Sequence, residues 1–420
     1  MMSKRLTRFP LLFLACAACA GDAGSAARWA GTVEDSAGVQ MVTNTAQPLW
    51  TDATRWDLEE VVTIGTASGE PEYQFGQIGG LDGTADGRIL VVDQQGQHLK
   101  VFSPDGVYER TIGKAGSGPG EFGPGVTGVL VGRGDTILVP DLGNQRVNVI
   151  LLDGSDPSSF RMSFDQGIPA RWDMTESGDL VLQRRALNLP NTEQRDTLDL
   201  IARITYTGEL IDTLMTPRRG MSFTFSEDGA PQRRIFSPEP VWALLEGDAI
   251  AFAVNDVFRL SSYDMDGILF RVVTMPREKA PVTEADIDFF MNTVDRLLDE
   301  QGVPPEQKEM IKSTFGFADY FPAFLQFLEG PRGSLWVQRV QVPTEMTPEE
   351  QETWNPLLDL GAADWDVFDR DGRYLGVVAM PHRFTPITFE GDLIYGVWRD
   401  DLDVQYVKVL RITGLEESAA

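Results

Sequence analysis

Hydrophobic positions along this chain fall in short runs separated by turns rich in glycine and aspartate. The clearest are Ile89-Leu-Val-Val-Asp93 and Ile137-Leu-Val-Pro-Asp141. Runs this short, rich in β-branched residues and bounded by Gly and Asp, predict strands rather than helices. Each is followed by a loop, an alternating run (Leu99-Lys-Val-Phe102 and Val147-Asn-Val-Ile150) and then Asp105-Gly106 or Asp153-Gly154. Asp-Gly favours tight hairpin turns, because Gly adopts positive φ at no steric cost. The two units are offset by about 48 residues (141 − 93), the length of one four-stranded propeller blade. The segments ahead of them align as well. Thr63-Ile-Gly65 with Tyr73-Gln-Phe-Gly76 corresponds to Thr111-Ile-Gly113 with Gly120-Glu-Phe-Gly123.

A glycine turn ahead of each apolar run can be followed along the chain, at Gly87, Gly134, Gly178, Gly247, Gly333 and Gly391. Six such turns predict an all-β fold, a single six-bladed β-propeller of four-stranded antiparallel blades. The last blade runs out of sequence after its third strand, Tyr406–Ile412, whereas Asp57–Ile64 is a strand with no blade before it. Pairing these two closes the ring and removes two exposed edges. Val39–Thr43 is expected as a further strand near that seam.

Gly116-Ser-Gly-Pro-Gly-Glu-Phe122, followed by Asp141-Leu-Gly-Asn-Gln-Arg-Val147, resembles the NHL-type repeat of six-bladed propellers. The ending Val397-Trp-Arg-Asp-Asp-Leu-Asp-Val404 is similar to bacterial propeller lipoproteins of that group. The matches cover the first two blades and the C-terminus. The resemblance implies the fold and export but no single activity, since relatives include binding scaffolds, lactonase-type metal hydrolases and amidating lyases.

The first residues change the picture of where the protein acts. Lys4, Arg5 and Arg8 precede an apolar stretch too short to span a bilayer, and then come Cys16 and Cys19, the only cysteines. Small residues before a cysteine resemble a bacterial lipobox. Cys19 is the preferred lipidation site and Cys16 the alternative; an ordinary cleaved secretory signal reads similarly. The organisation expected is a signal peptide over 1–19, a tether over 20–36, the propeller over 37–415 and a polar tail over 416–420. The chain would then be exported and held by a lipid anchor at the cell membrane or outer membrane, as a monomeric propeller. A net charge of −27 gives no basic footprint for nucleic acid or for an anionic membrane surface.

Extra sequence falls where a propeller connects its second and third strands or successive blades, on one face, called the top here. These insertions are 184–199, 216–240, about 276–320 and 341–363. In the largest, Thr283 is placed to cap a helix whose apolar stripe is Ile287, Phe290, Met291, Val294, Leu297 and Leu298. A second helix is expected from Pro305 to about Thr314. Such a helical hairpin either shields the propeller or acts as a lid over its mouth.

The ends of the second strands should surround the top of the central channel. They carry Asp93, Asp141, Arg184 with Arg185, Asn255, Arg339 and Arg399. Asp at such loop starts commonly bonds nearby backbone amides. As an alternative, carboxylates and amides form oxygen sites for a hard cation, which makes calcium the one cofactor to consider. The arginines suit a carboxylate, sulfate or phosphate, or else pair with neighbouring acids. Only His98 and His382 exist, which excludes a histidine zinc site and argues against an amidating-lyase activity. The sequence thus leads to a binding module for a protein, peptide or small anionic ligand on the elaborated face. A calcium-dependent lactonase or esterase and a purely structural envelope component are the alternatives.

Overall fold

Strands pair in chain order into six blades arranged in a ring. The computed structural model describes residues 28–415 apart from 133, 163, 165–166, 186–197, 219, 221 and 226–229. Cys16, Cys19, the leader, the tail over 416–420 and most of the insertion over 184–199 therefore lie outside the described residues. Blade 1 comprises Ile78–Gly83, Ile89–Asp93, His98–Phe102 and Tyr108–Ile112. Each later blade repeats this meander, beginning from an innermost strand: Leu130–Val131, Ile168–Met174, Pro240–Leu245, Phe327–Gly330 and Phe384–Glu390. The six turn glycines all take positive φ, from 60° at Gly391 to 94° at Gly178, so a side chain there would be strained.

The second strands show why the pattern makes a ring. Leu90 and Val92 pack against blade 2, whereas Ile89 and Val91 pack against blade 6. Alternate side chains thus enter cores on opposite faces, and the strand reads as one continuous apolar run. Six such cores lie between successive blades. The core between blades 5 and 6 is built around Trp50, Trp56, Trp336 and Trp365. Closure occurs as the sequence pattern requires. Asp57–Ile64 pairs antiparallel with Gln405–Thr413, from Asp57 opposite Thr413 to Ile64 opposite Val407, as the outermost strand of blade 6.

The amino-terminal hairpin is placed differently from expectation. Val39–Thr43 is not at the seam of blades 6 and 1 but lies parallel to Leu269–Thr274, on the outer edge of blade 4. Thr32–Ser36 pairs with it as a sixth strand, so the sheet begins at Thr32 rather than at residue 37. The physical reason is a polar clasp after the strand. Asn44, buried, donates from Nδ2 to the Gly372 carbonyl (2.9 Å) and accepts at Oδ1 from the Tyr374 amide (2.7 Å) and Trp29 Nε1 (2.9 Å).

The top face carries a cap with its own core. Helix α1 (Glu284–Glu300) starts at a capping box between Thr283 and Asp286, and α2 (Pro305–Lys312) follows it. Phe290, Val294 and Leu298 of α1 pack with Ile235, Phe236, Phe321, Met346 and Trp354. Asp286 also accepts from the Thr344 hydroxyl at 2.7 Å, which ties the helix to the insertion of blade 5. That insertion contains helix α3 (Pro348–Thr353). Of the two expectations for the hairpin, this packing is that of a seated cap.

Replacing Asn44 by Ala strips two buried backbone groups of their partners, at a cost of about 1–3 kcal/mol each. Urea denaturation of Asn44→Ala should show a loss of several kcal/mol; an unchanged midpoint would refute the clasp.

Candidate functional site

The innermost strand of each blade has a neighbour on one side only, and its other edge faces the ring axis. Together these edges enclose a channel of about 970 Å³. At the upper end blades 1 and 2 come close: the Gly128 amide donates to the Gly79 carbonyl at 2.8 Å. A Cβ on Gly80 would lie 2.5 Å from the Gly128 carbonyl carbon. Only glycines permit this approach.

Lower down, carboxylates serve the free edges. Asp82 accepts from the amide of Val131 on blade 2 (2.8 Å) and from Gly83 (2.8 Å). Asp173 of blade 3 accepts from the Met174 amide (2.8 Å) and from the backbone of Leu244 on blade 4. Glu329 of blade 5 accepts from the amide of Glu246 on blade 4. Glu390 of blade 6 also lines the channel. Burial pushes the Asp82 carboxyl up to about 7 against the pull of its amide donors, and the like charges of Asp173 and Glu390 add to the rise. Burial likewise pushes Glu329 up to about 7, with Asp173, Glu246 and Glu176 adding to it. Asp173 is raised by burial, partly opposed by Arg171.

Arg171 is the cation among these groups. It sits on the same strand, two residues above Asp173, with its guanidinium 5.3 Å from the ring centre of Trp242. It makes no hydrogen bond or ion pair with any described residue, and burial disfavours its charge.

The rim residues singled out from the sequence stand where expected, at the upper ends of second strands, but the scaffold uses them. Asp93 accepts from the amides of Gly76 (3.1 Å), Gln77 (3.3 Å) and Gly96 (2.9 Å). Asp141 accepts from Gly123 (3.0 Å), Asn144 (3.2 Å) and the Asn144 side chain (2.7 Å). Asn255 accepts from the Glu239 amide (2.7 Å) and donates to the carbonyls of Phe324 and Leu325 (2.8 and 3.1 Å). Each ties together the loops at the top of its own region of the ring. The arginines are paired: Arg185 with Asp199 (3.3 Å) and Glu239 (2.8 Å), Arg339 with Asp366 (2.7 Å) and Asp364 (3.3 Å), Arg399 with Asp359. Arg184 is half-buried beside Arg185, and it too has a partner. The structure therefore does not bring these residues to one point. Among the described residues, no three of His, Cys, Asp and Glu are grouped so as to hold a metal ion. No described helix is long and apolar enough to cross a membrane.

Sequence reasoning missed Arg171, Asp173, Asp82, Glu329 and Glu390. One signal was available: Asp82 and Asp173 both stand five residues ahead of a turn glycine, Gly87 and Gly178.

A family model described as a 6-bladed beta-propeller matches residues 70–138. With six sheets around one axis and the ends paired on blade 6, the assignment is direct. The chain folds as a six-bladed β-propeller. Solved propellers are similar to it across nearly their whole length. A member of the duf4221 family from Bacteroides vulgatus superposes with a TM-score of 0.53 and 11% identity, covering 86% of this chain and 99% of that one. A protein described as exported, from Bacteroides fragilis, gives 0.50 and 12%, covering 89% and 99%. A gluconolactonase from Xanthomonas campestris gives 0.40 and 12%, covering 80% and 88%. At these identities the likeness is one of fold. Among curated proteins, none matches the chain.

Asp82 and Glu329 make the propeller sensitive to pH. Their folded pKa values lie above the unfolded carboxylate range, so between about pH 4 and 7 the native state binds more protons. Stability therefore falls as pH rises through that window. The wild type should lose melting temperature from pH 5 to about 8 more steeply than an Asp82→Asn, Glu329→Gln double variant. Parallel curves would overturn the assignment.

Proposed function

We propose that the protein is an exported, lipid-anchored binding module that holds a small charged ligand in its central channel. The observation that carries this reading is the contrast between rim and channel. The rim residues are consumed in holding loops, while the channel keeps a guanidinium, and carboxyls, that form no ion pair with any described residue. A concave cavity with a few convergent polar groups is the usual form of a small-molecule site. The envelope location rests on the leader, with Cys19 as the lipidated residue.

One observation favours a second reading, a hydrolase. Two carboxyls held near 7 in one cavity, Asp82 and Glu329, are poised as general acid and base at neutral pH. Its calcium-dependent form has no grouped metal ligands behind it among the described residues.

Ala170 lines the channel at a bulge in the innermost strand of blade 3, with its side chain exposed to the lumen. Ala170→Trp should therefore fill the lumen without disturbing a core. In a thermal-shift panel of amino acids, organic acids, amines and short peptides, at least one compound should stabilise the wild type and not Ala170→Trp. The hydrolase replaces this reading if no compound shifts the melt but lactone or ester turnover appears and is lost in Asp82→Asn. Stabilisation by calcium, reversed by chelator, would restore its metal-dependent form.

Lipidation is tested separately by metabolic labelling with a palmitate analogue in a bacterial host. Label should persist in Cys16→Ala and vanish in Cys19→Ala; the reverse pattern moves the anchor to Cys16.

A further inference from the structure

The lower channel holds opposite charges that the scaffold does not set against each other in an ion pair. Arg171 lines the channel, half-buried, with its guanidinium 5.3 Å from the centre of the Trp242 ring, and it makes no hydrogen bond or ion pair with any described residue. A guanidinium has five donors in a planar fork, and at Arg171 they are available to a ligand in the channel because no described residue takes them. What fits is an oxyanion that accepts from both arms at once, and of carboxylate, sulfate and phosphate the carboxylate brings the least negative charge into a lumen lined by acids. Trp242 is itself fixed, because its Nε1 donates to Gln183 at 3.0 Å, and so the guanidinium has a rigid aromatic neighbour.

Below Arg171 the sign reverses. Asp173 is the hub: its charge is felt by Arg171, by Asp82 of blade 1 and by Glu329 of blade 5. These three carboxyls come from blades spread around the ring, so they face one lumen rather than one another along a strand. Backbone amides occupy part of their acceptor capacity, yet no described lysine or arginine pairs with any of them. A ligand bearing an ammonium group would relieve their mutual repulsion while leaving the amide bonds in place. The strand fixes the spacing of the two backbone positions from which the poles project. Arg171 and Asp173 are two residues apart on an extended strand, roughly 6.6 Å.

We infer that the channel recognises a zwitterion, its carboxylate taken by Arg171 against Trp242 and its ammonium held lower down among Asp173, Asp82 and Glu329. The ligand class is an amino acid or short peptide whose two charged ends are separated by several bonds. This deepens the binding reading above and rests on it.

The test compares three probes of matched chain length by isothermal titration calorimetry on the purified full chain: 5-aminovalerate, pentylamine and valerate. 5-Aminovalerate should bind at least about tenfold more tightly than either singly charged probe, as expected for a well-enclosed charge pair. Arg171→Gln should reduce 5-aminovalerate to the affinity of pentylamine, and Arg171→Lys, which keeps the charge without the fork, should fall between. Asp173→Asn should weaken both amines and should not weaken valerate. The inference is overturned if pentylamine matches 5-aminovalerate, or if Arg171→Gln binds as the wild type does while melting normally. In either case the channel remains a ligand site. If none of the three probes binds, the zwitterion also fails, and the panel with Ala170→Trp decides whether the channel binds anything.

Discussion

Everything in this molecule follows from the bare edge of the innermost strands. Within a blade each strand bonds its neighbours, and the outermost edges are exposed to solvent or covered. Blade 6 takes Asp57–Ile64 as its outermost strand and blade 4 takes the amino-terminal hairpin. The six inner edges cannot be covered in this way, because closing the ring turns them toward the axis. Their amides must find acceptors in a space too wide for direct pairing between most blades. Blades 1 and 2 solve the problem by glycine contact at Gly79, Gly80 and Gly128. Side-chain carboxylates bridge the rest, lower down between the same two blades from Asp82 to Val131, and between blades 5 and 4 from Glu329 to Glu246. A scaffold built this way places hydrogen-bond acceptors in its own lumen as a by-product of satisfying its backbone.

The ring was legible in the sequence because its determinants are local and repeated. Gly87 and its five counterparts carry positive φ, and the second strands alternate between two cores. Both features leave a trace every time the unit recurs. Thr283 as a helix cap was readable for the same reason, since a capping box is complete within a few residues. The edge position of Val39–Thr43 was not readable. A strand's partner depends on which edge is open and which clasp lies nearby, and Asn44 bonds groups more than three hundred residues away, at Gly372 and Tyr374.

The candidate site was illegible for a different reason. Asp93 and Asp141 attracted attention because they recur at matching positions, but recurrence in a repeat protein marks what every blade needs for its own folding. Three amide donors on Asp93 are such a need. A ligand site built on one axis is made once, from different residues in different blades, and so it breaks the repeat. Arg171 has no counterpart to announce it, and its meaning depends on Trp242 from the next blade. In a propeller, positions that depart from the repeat while lining the axis carry the information about function.

That principle bears on whether the channel acids are only backbone acceptors. The repeat offset of 48 carries Asp82 onto position 130 (82 + 48), and there blade 2 has a leucine packed against the core it shares with blade 3. A blade can therefore be built with an apolar residue at this place. Glu390 also lines the lumen, on its exposed side, with its carboxyl raised by partial desolvation and no described amide bonded to it. Arg171, which makes no hydrogen bond or ion pair with any described residue, lines the same lumen. The scaffold explains why acceptors sit in the lumen; it does not explain why they are acids facing an unpaired guanidinium, and a ligand carrying both charges does.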